Sequence, residues 1–151
     1  MGYYVEYFTN EVTFPKEKAK EVLTAINALH EPKLMKSQST AGTYANGQRI
    51  YVCYSWTENP PPGGFTSLED AFGAWRFDLY QPNDEVYSFN WIGEKLGDEE
   101  IFFNALAPYA KGEIYARGED GEEWGYKYKN GTVGRLKCVV RLKCIKKWVE
   151  Q

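Results

Sequence analysis

Two dipeptides, Asp120-Gly121 and Asn130-Gly131, do most to limit how this chain can fold. Both lie in the stretch "GEIYARGEDGEEWGYKYKNGTVGRLKC", where polar and apolar residues alternate. Each favours a tight turn between neighbouring antiparallel strands. Two-residue loops at both places fix the pairing by counting. Arg117 then faces Trp124, Tyr115 faces Tyr126, Tyr128 faces Val133, Tyr126 faces Arg135 and Trp124 faces Lys137. One side of the expected three-stranded meander carries Tyr115, Arg117, Trp124, Tyr126, Tyr128, Arg135 and Lys137. The other carries Ala116, Gly118, Gly125, Gly134, Leu136 and Cys138, small enough for a helix to pack against it. The segment "RLKCVVRLKC" (135–144) prolongs the alternation, with Leu136, Cys138, Val140, Leu142 and Cys144 expected inward.

Upstream, "YYVEYFTNEVTF" (3–14) reads as strand, interrupted at Thr9-Asn10. Pro15 suits a first helical position, and Val22, Ile26 and Leu29 give the following helix one apolar face before Pro32 stops it. Residues 33–48 are small and polar and read as a long loop. "RIYVCYSW" (49–56) reads as a second strand. The connector "TENPPPGGF" (57–65) offers a boundary between two halves, 1–58 and 65–151, of a single domain. Ser67 and Asp70 form a capping box for a helix that buries Leu68, Ala71, Phe72 and Trp75. Residues 85–93 make a strand with Tyr87, Phe89 and Trp91 on one face. Asp98 is expected to cap a third helix that buries Ile101, Phe102, Ala105 and Leu106. The fold class that follows is a single compact α+β domain, mainly antiparallel sheet with three helices.

Charge is unevenly spread. Residues 135–151 hold six basic side chains and one acid, a local +5, against −8 over the rest of the chain. Such asymmetry suits a polyanion, self-pairing into a homo-oligomer, or internal neutralisation. No apolar run approaches the ~20 residues of a membrane helix, and "MGYYVEYF" has neither the basic nor the apolar region of a signal peptide. The odd set Cys53, Cys138 and Cys144 has no framework spacing, so reduced thiols and a cytoplasmic location are expected.

No residue pattern carries a known chemistry, so no catalytic residue, metal site or cofactor is expected. His30 is the one histidine and sits at a helix end, where a dipole contact accounts for it. Cys138-x5-Cys144 is wrongly spaced for zinc. The acids of "GEDGEEW" (118–124) fit a solvated turn better than a calcium loop. The aromatic and cationic sheet face has three readings. It suits an ordinary solvated sheet, a protein interface rich in Tyr, Trp and Arg, or a stacking platform for single-stranded nucleic acid. The expected function is non-enzymatic binding of a protein partner, with nucleic-acid binding as the alternative and an enzyme with a carboxylate site as the third.

The motifs "GYYVEY", "INALH", "YSWTENPPPGGF", "AFGAWRF", "GEKLGDEEIFFNALAPY" and "GEDGEEW" together resemble a set of small uncharacterised proteins of phages and bacterial mobile elements, over residues 1–130. The resemblance carries no named activity. It implies a small cytoplasmic accessory protein that acts on host or competing-phage machinery.

Overall fold

In the computed structural model, residues 2–8, 11–31, 40–43, 49–141 and 145–151 are described. Aromatic rings make the interior. The Phe102 ring stacks on Trp75 and on Phe77, each with centroids 5.3 Å apart, and meets Phe72 edge-on at 5.1 Å. Phe89 and Phe103 close the cluster from either side of Phe77. Phe102, Phe72, Phe77 and Phe89 come from four different elements, so this one cluster ties most of the chain together.

Those elements, in order, are β1 (Val5–Phe8), β2 (Thr13–Pro15), a 3-10 turn (Lys16–Lys18), α1 (Ala19–Leu29), β3 (Thr40–Thr43) and β4 (Arg49–Cys53). Then follow α2 (Leu68–Ala74), β5 (Phe77–Tyr80), β6 (Val86–Trp91) and α3 (Glu99–Leu106). The chain ends in β7 (Gly112–Gly118), β8 (Glu123–Lys129), β9 (Thr132–Arg141) and β10 (Ile145–Glu150). The sheets are antiparallel: β1-β7-β8-β9-β10, β2-β6-β5 and β3-β4. The fold is α+β with a C-terminal meander. One core cluster draws on residues from Val5 to Tyr128, on both sides of the Pro-Gly connector. No helix among the described residues is long and apolar enough to cross a membrane.

Ser67 caps α2 as its sequence indicates, its hydroxyl accepting from the Asp70 N–H at 3.1 Å. The connector is anchored by Asn27 of α1. Its side-chain amide donates to the Phe65 carbonyl at 3.0 Å and its carbonyl oxygen accepts from the Phe65 N–H at 2.8 Å.

Several expectations are corrected. Pro15 ends β2 opposite Val86, with extended backbone, and the 3-10 turn starts one residue later at Lys16. Part of the expected loop 33–48 is strand β3; its other residues, apart from Thr40–Thr43, lie outside the described set. The second strand stops at Cys53, so Ser55 and Trp56 belong to a turn. In α3 Phe103 is buried and Ile101 is exposed, because two sheets rather than one flank the helix. Strand 135–144 ends at Arg141 and β10 pairs back on it, with Trp148 opposite Cys138; residues 142–144 lie outside the described set.

The largest correction is one of register. At Asn130-Gly131 both residues are left-handed, with φ of 53° and 76°, and the two-residue loop pairs Tyr128 with Val133 and Trp124 with Lys137 as counted. At Asp120-Gly121 only Gly121 is left-handed, with φ of 85°. The Gly121 N–H donates to the Gly118 carbonyl, and the Gly118 N–H donates to the Glu122 carbonyl. The loop is therefore three residues, Glu119 to Gly121, a turn closed by a left-handed glycine. Arg117 faces Glu123 and Tyr115 faces Gly125. A one-residue slip moves every side chain of β7 to the other face.

His30 caps the end of α1 but not by a dipole contact. Its carbonyl accepts from the Val52 N–H at 2.9 Å, and its Nδ1 lies 2.9 Å from the Val52 carbonyl oxygen. A carbonyl only accepts, so Nδ1 carries the proton, and burial favours the neutral ring over the charged one. The ring is packed among Tyr54, Phe65 and Trp75, and its Nε2 has no hydrogen-bond partner among the described residues. Burial lowers its pKa from the ordinary 6.5. A depressed folded-state pKa means the unfolded chain takes the proton first. The stabilisation from the neutral ring is thus complete above about pH 6.5 and is lost as the pH falls through the folded-state value. Urea unfolding at pH 7.5 and pH 5 should show wild type losing more stability on acidification than His30→Phe; equal losses would place the acid sensitivity elsewhere.

Candidate functional site

The nominated sheet face is divided by the register. Trp124, Tyr126 and Tyr128 share one side of β8 with Ala116 and Ile114 of β7. That side is the core: the three rings are 5%, 5% and 3% exposed. The helix α3 covers Tyr126 and Tyr128. Tyr128 donates its hydroxyl hydrogen to the Phe103 carbonyl at 2.8 Å, and the Phe103 and Tyr126 rings lie 4.9 Å apart. Burial near the Glu100 carboxylate pushes the Tyr126 hydroxyl up to about 12. Arg135 and Lys137 are on the same side as Trp124 but extend past the helix into solvent, with the Arg135 guanidinium 5.8 Å from the Trp124 ring centre. Tyr115 and Arg117 point to the opposite side of the sheet. There Arg117 pairs with Glu123 at 3.1 Å and lies 5.1 Å over the Phe8 ring. The Tyr115 ring is 4.4 Å from that of Trp148, laid across the space Gly125 leaves. The seven residues therefore do not form one surface. The side expected to receive a helix is split too: Gly125, Gly134, Leu136 and Cys138 face away from α3, whereas Ala116 joins the aromatic side, which receives the helix instead. The reason is area: rings bury far more apolar surface against a helix than glycines do.

The acids of residues 118–124 also have structural work. Asp120 accepts from the Tyr3 hydroxyl and the Glu122 N–H, Glu119 accepts from the Tyr4 N–H at 3.2 Å, and Glu123 pairs with Arg117. They stitch the β7–β8 hairpin to the N-terminal strand.

With most rings inside, those outside stand apart. Trp56 is 50% exposed and Tyr4 is 48% exposed. The two are linked through Gly2 and Lys95. A Cβ on Gly2 would lie 2.9 Å from the Trp56 ring and 3.2 Å from the Lys95 side chain. The Lys95 ammonium sits 3.0 Å above the centre of the Tyr4 ring, a cation–π contact. Ile92, on the same segment as Lys95, is 62% exposed.

Trp56 occupies the third position of a turn closed by the Thr57 N–H on the Tyr54 carbonyl at 3.2 Å. Its φ is 61°, a conformation that costs a bulky residue about 1–3 kcal/mol and that glycine adopts freely. The turn is pinned by Asp98, whose carboxylate accepts from the Ser55 N–H at 2.7 Å. Asp98 precedes α3 but its side chain makes no capping bond there, contrary to its sequence reading. The carboxylate is spent on the turn that carries Trp56.

Beneath this surface lies a charge pair. The Arg76 guanidinium contacts a Glu99 carboxylate oxygen at 2.5 Å and the Lys95 carbonyl at 2.5 Å; the second Glu99 oxygen accepts from the Gly97 N–H at 2.7 Å. Glu99 is fully buried, and Arg76 lies over the Trp91 ring at 4.9 Å. Burial raises the Glu99 pKa, with the Arg76 charge pulling it back; burial lowers that of Arg76 against the opposing pull of Glu99. These bonds hold residues 95–99 as one rigid arc. A Cβ on Gly97 would lie 2.4 Å from the Ser55 carbonyl, so the arc fits directly against the Trp56 turn.

Sequence reading missed this site because Trp56 was placed in a strand and Glu99 on a helix terminus. The available signal was "SWTENP": a large ring beside residues that break strands.

Removing one member of a buried pair leaves the other uncompensated, at about 3–5 kcal/mol, whereas replacing both by apolar groups costs much less. Glu99→Ala should therefore destabilise by that amount in urea unfolding and speed amide exchange at Gly97. The double variant Arg76→Met, Glu99→Met should be more stable than Glu99→Ala alone. A double variant as weak as the summed single variants would show that the two charges act independently.

No family model, curated protein or solved structure matches the chain.

Proposed function

We propose that this protein is a non-enzymatic binding protein that acts by protein–protein contact through the Trp56–Tyr4 surface. One observation carries the reading: a half-exposed tryptophan is held in a strained left-handed turn by a carboxylate drawn away from its own helix end. Exposed aromatic anchors on rigid backbone are what interface hot spots use, since little side-chain freedom is lost on binding. The phage and mobile-element pattern in the sequence directs the search for the partner to host or defence components. Nucleic-acid stacking on Trp124, Tyr126 and Tyr128 would need rings that are buried in the fold.

Trp56→Gly tests this without disturbing the backbone, because glycine takes the same φ. The variant should remain within about 1 kcal/mol of wild-type stability, the relieved strain offsetting the lost ring contacts. In affinity capture from the source organism, wild type should retain a specific protein that binds it again after purification, and Trp56→Gly should lose it. Equal recovery by both would remove this surface from the function.

A further inference from the structure

We infer that the Trp56–Tyr4 surface takes an extended, cationic segment of its protein partner, with apolar side chains on the rings and arginine or lysine side chains on the carboxylates beside them. This rests on the contact reading above. Next to Tyr4 the surface falls into a groove of about 330 Å³, whose walls include Glu6, Glu94, Arg117 and Glu119. The cations there are already engaged. Arg117 is paired with Glu123 and laid over Phe8, and Lys95 is seated on the Tyr4 ring. Glu6 stands opposite Arg117 across the β1–β7 pair, but that guanidinium is held by Glu123, and neither Glu6 nor Glu94, both exposed, forms an ion pair among the described residues. An apolar centre with a negative rim favours a positive partner and rejects an acidic one through like-charge repulsion.

A second copy of the chain is a poorer occupant. Among the described residues, two of the cations it could offer are engaged within the chain: Lys127 lies between Glu113 at 3.8 Å and Glu150 at 3.6 Å, and Arg135 lies beside Trp124. Those contacts would have to be given up.

The test uses the full chain and three fluorescent peptides in which leucine alternates with arginine, glutamine or glutamate, followed by anisotropy. The arginine peptide should bind roughly tenfold tighter than the glutamine peptide, and the glutamate peptide weakest of all. Raising NaCl to about 0.5 M should erase most of that advantage. Glu6→Gln with Glu94→Gln should weaken the arginine peptide roughly tenfold and leave the glutamine peptide unchanged. The same change at the remote exposed pair Glu17 and Glu85 should do nothing. Trp56→Gly should weaken both the arginine and the glutamine peptide. Equal binding of those two peptides, with both lost in Trp56→Gly, would overturn the cationic segment and leave the contact surface standing. Full binding by Trp56→Gly would overturn the surface itself. Equal losses from the near and remote carboxylate pairs would reduce the binding to general charge attraction and overturn the inference. Salt-sensitive dimerisation in sedimentation, abolished by Glu6→Gln with Glu94→Gln, would put a second copy in the groove and overturn it as well.

Discussion

The ion pair between Arg76 and Glu99 is the constraint on which the exposed surface rests. Taking two charges out of water costs several kcal/mol per ion, and their attraction repays it only with good geometry and filled hydrogen-bonding capacity. Here both Glu99 oxygens are occupied, by the guanidinium and by the Gly97 N–H, and the start of α3 adds a favourable dipole. Arg76 is itself left-handed, with φ of 69°, at the junction where α2 gives way to β5. The backbone accepts that conformation because the guanidinium is fixed at its far end by the Lys95 carbonyl and the Trp91 face. The pair contributes position more than net stability. It fixes the arc that Asp98 and Gly97 share, and through the Asp98–Ser55 bond it fixes the direction of Trp56.

What could be read from sequence follows the strength of local signals. Period-two and helical patterns located the three helices and most strands but not β3, β5 or β10, and Ser67 marked a true cap because a short side chain can reach its own N–H donors. Asn130-Gly131 fixed its register because both residues accept positive φ. Asp120-Gly121 did not, because Asp120 had another use: its carboxylate binds Tyr3 and the Glu122 N–H, and the turn lengthens by one residue around it. Tyr3 is 117 residues away, so no local reading could include it.

The site was less legible than the fold for the same reason. Glu99 and Asp98 both look like ordinary first-turn acids, and each turns out to serve a residue distant in sequence: Arg76 and Ser55. The nominated rings were read as surface because Tyr and Trp tolerate either environment. The buried side of β8 is the one that meets Phe103 of α3, whose large apolar area is matched by rings rather than by glycines.

Burial of so many rings gives weight to those left outside. At a turn position with positive φ, glycine would avoid the strain, and at a half-exposed position a polar residue would avoid placing apolar area in water. Trp56 does neither: it carries the strain and leaves half of its ring in water. Asp98 then tightens the arrangement by giving its carboxylate to the turn instead of to its helix. Rigidity of this kind has a thermodynamic use only when something binds, because an anchor already held in place loses little freedom on association. The strain, the exposure and the bracing are each small. Together they describe a side chain prepared for contact, beside carboxylates that set the sign of the charge it meets.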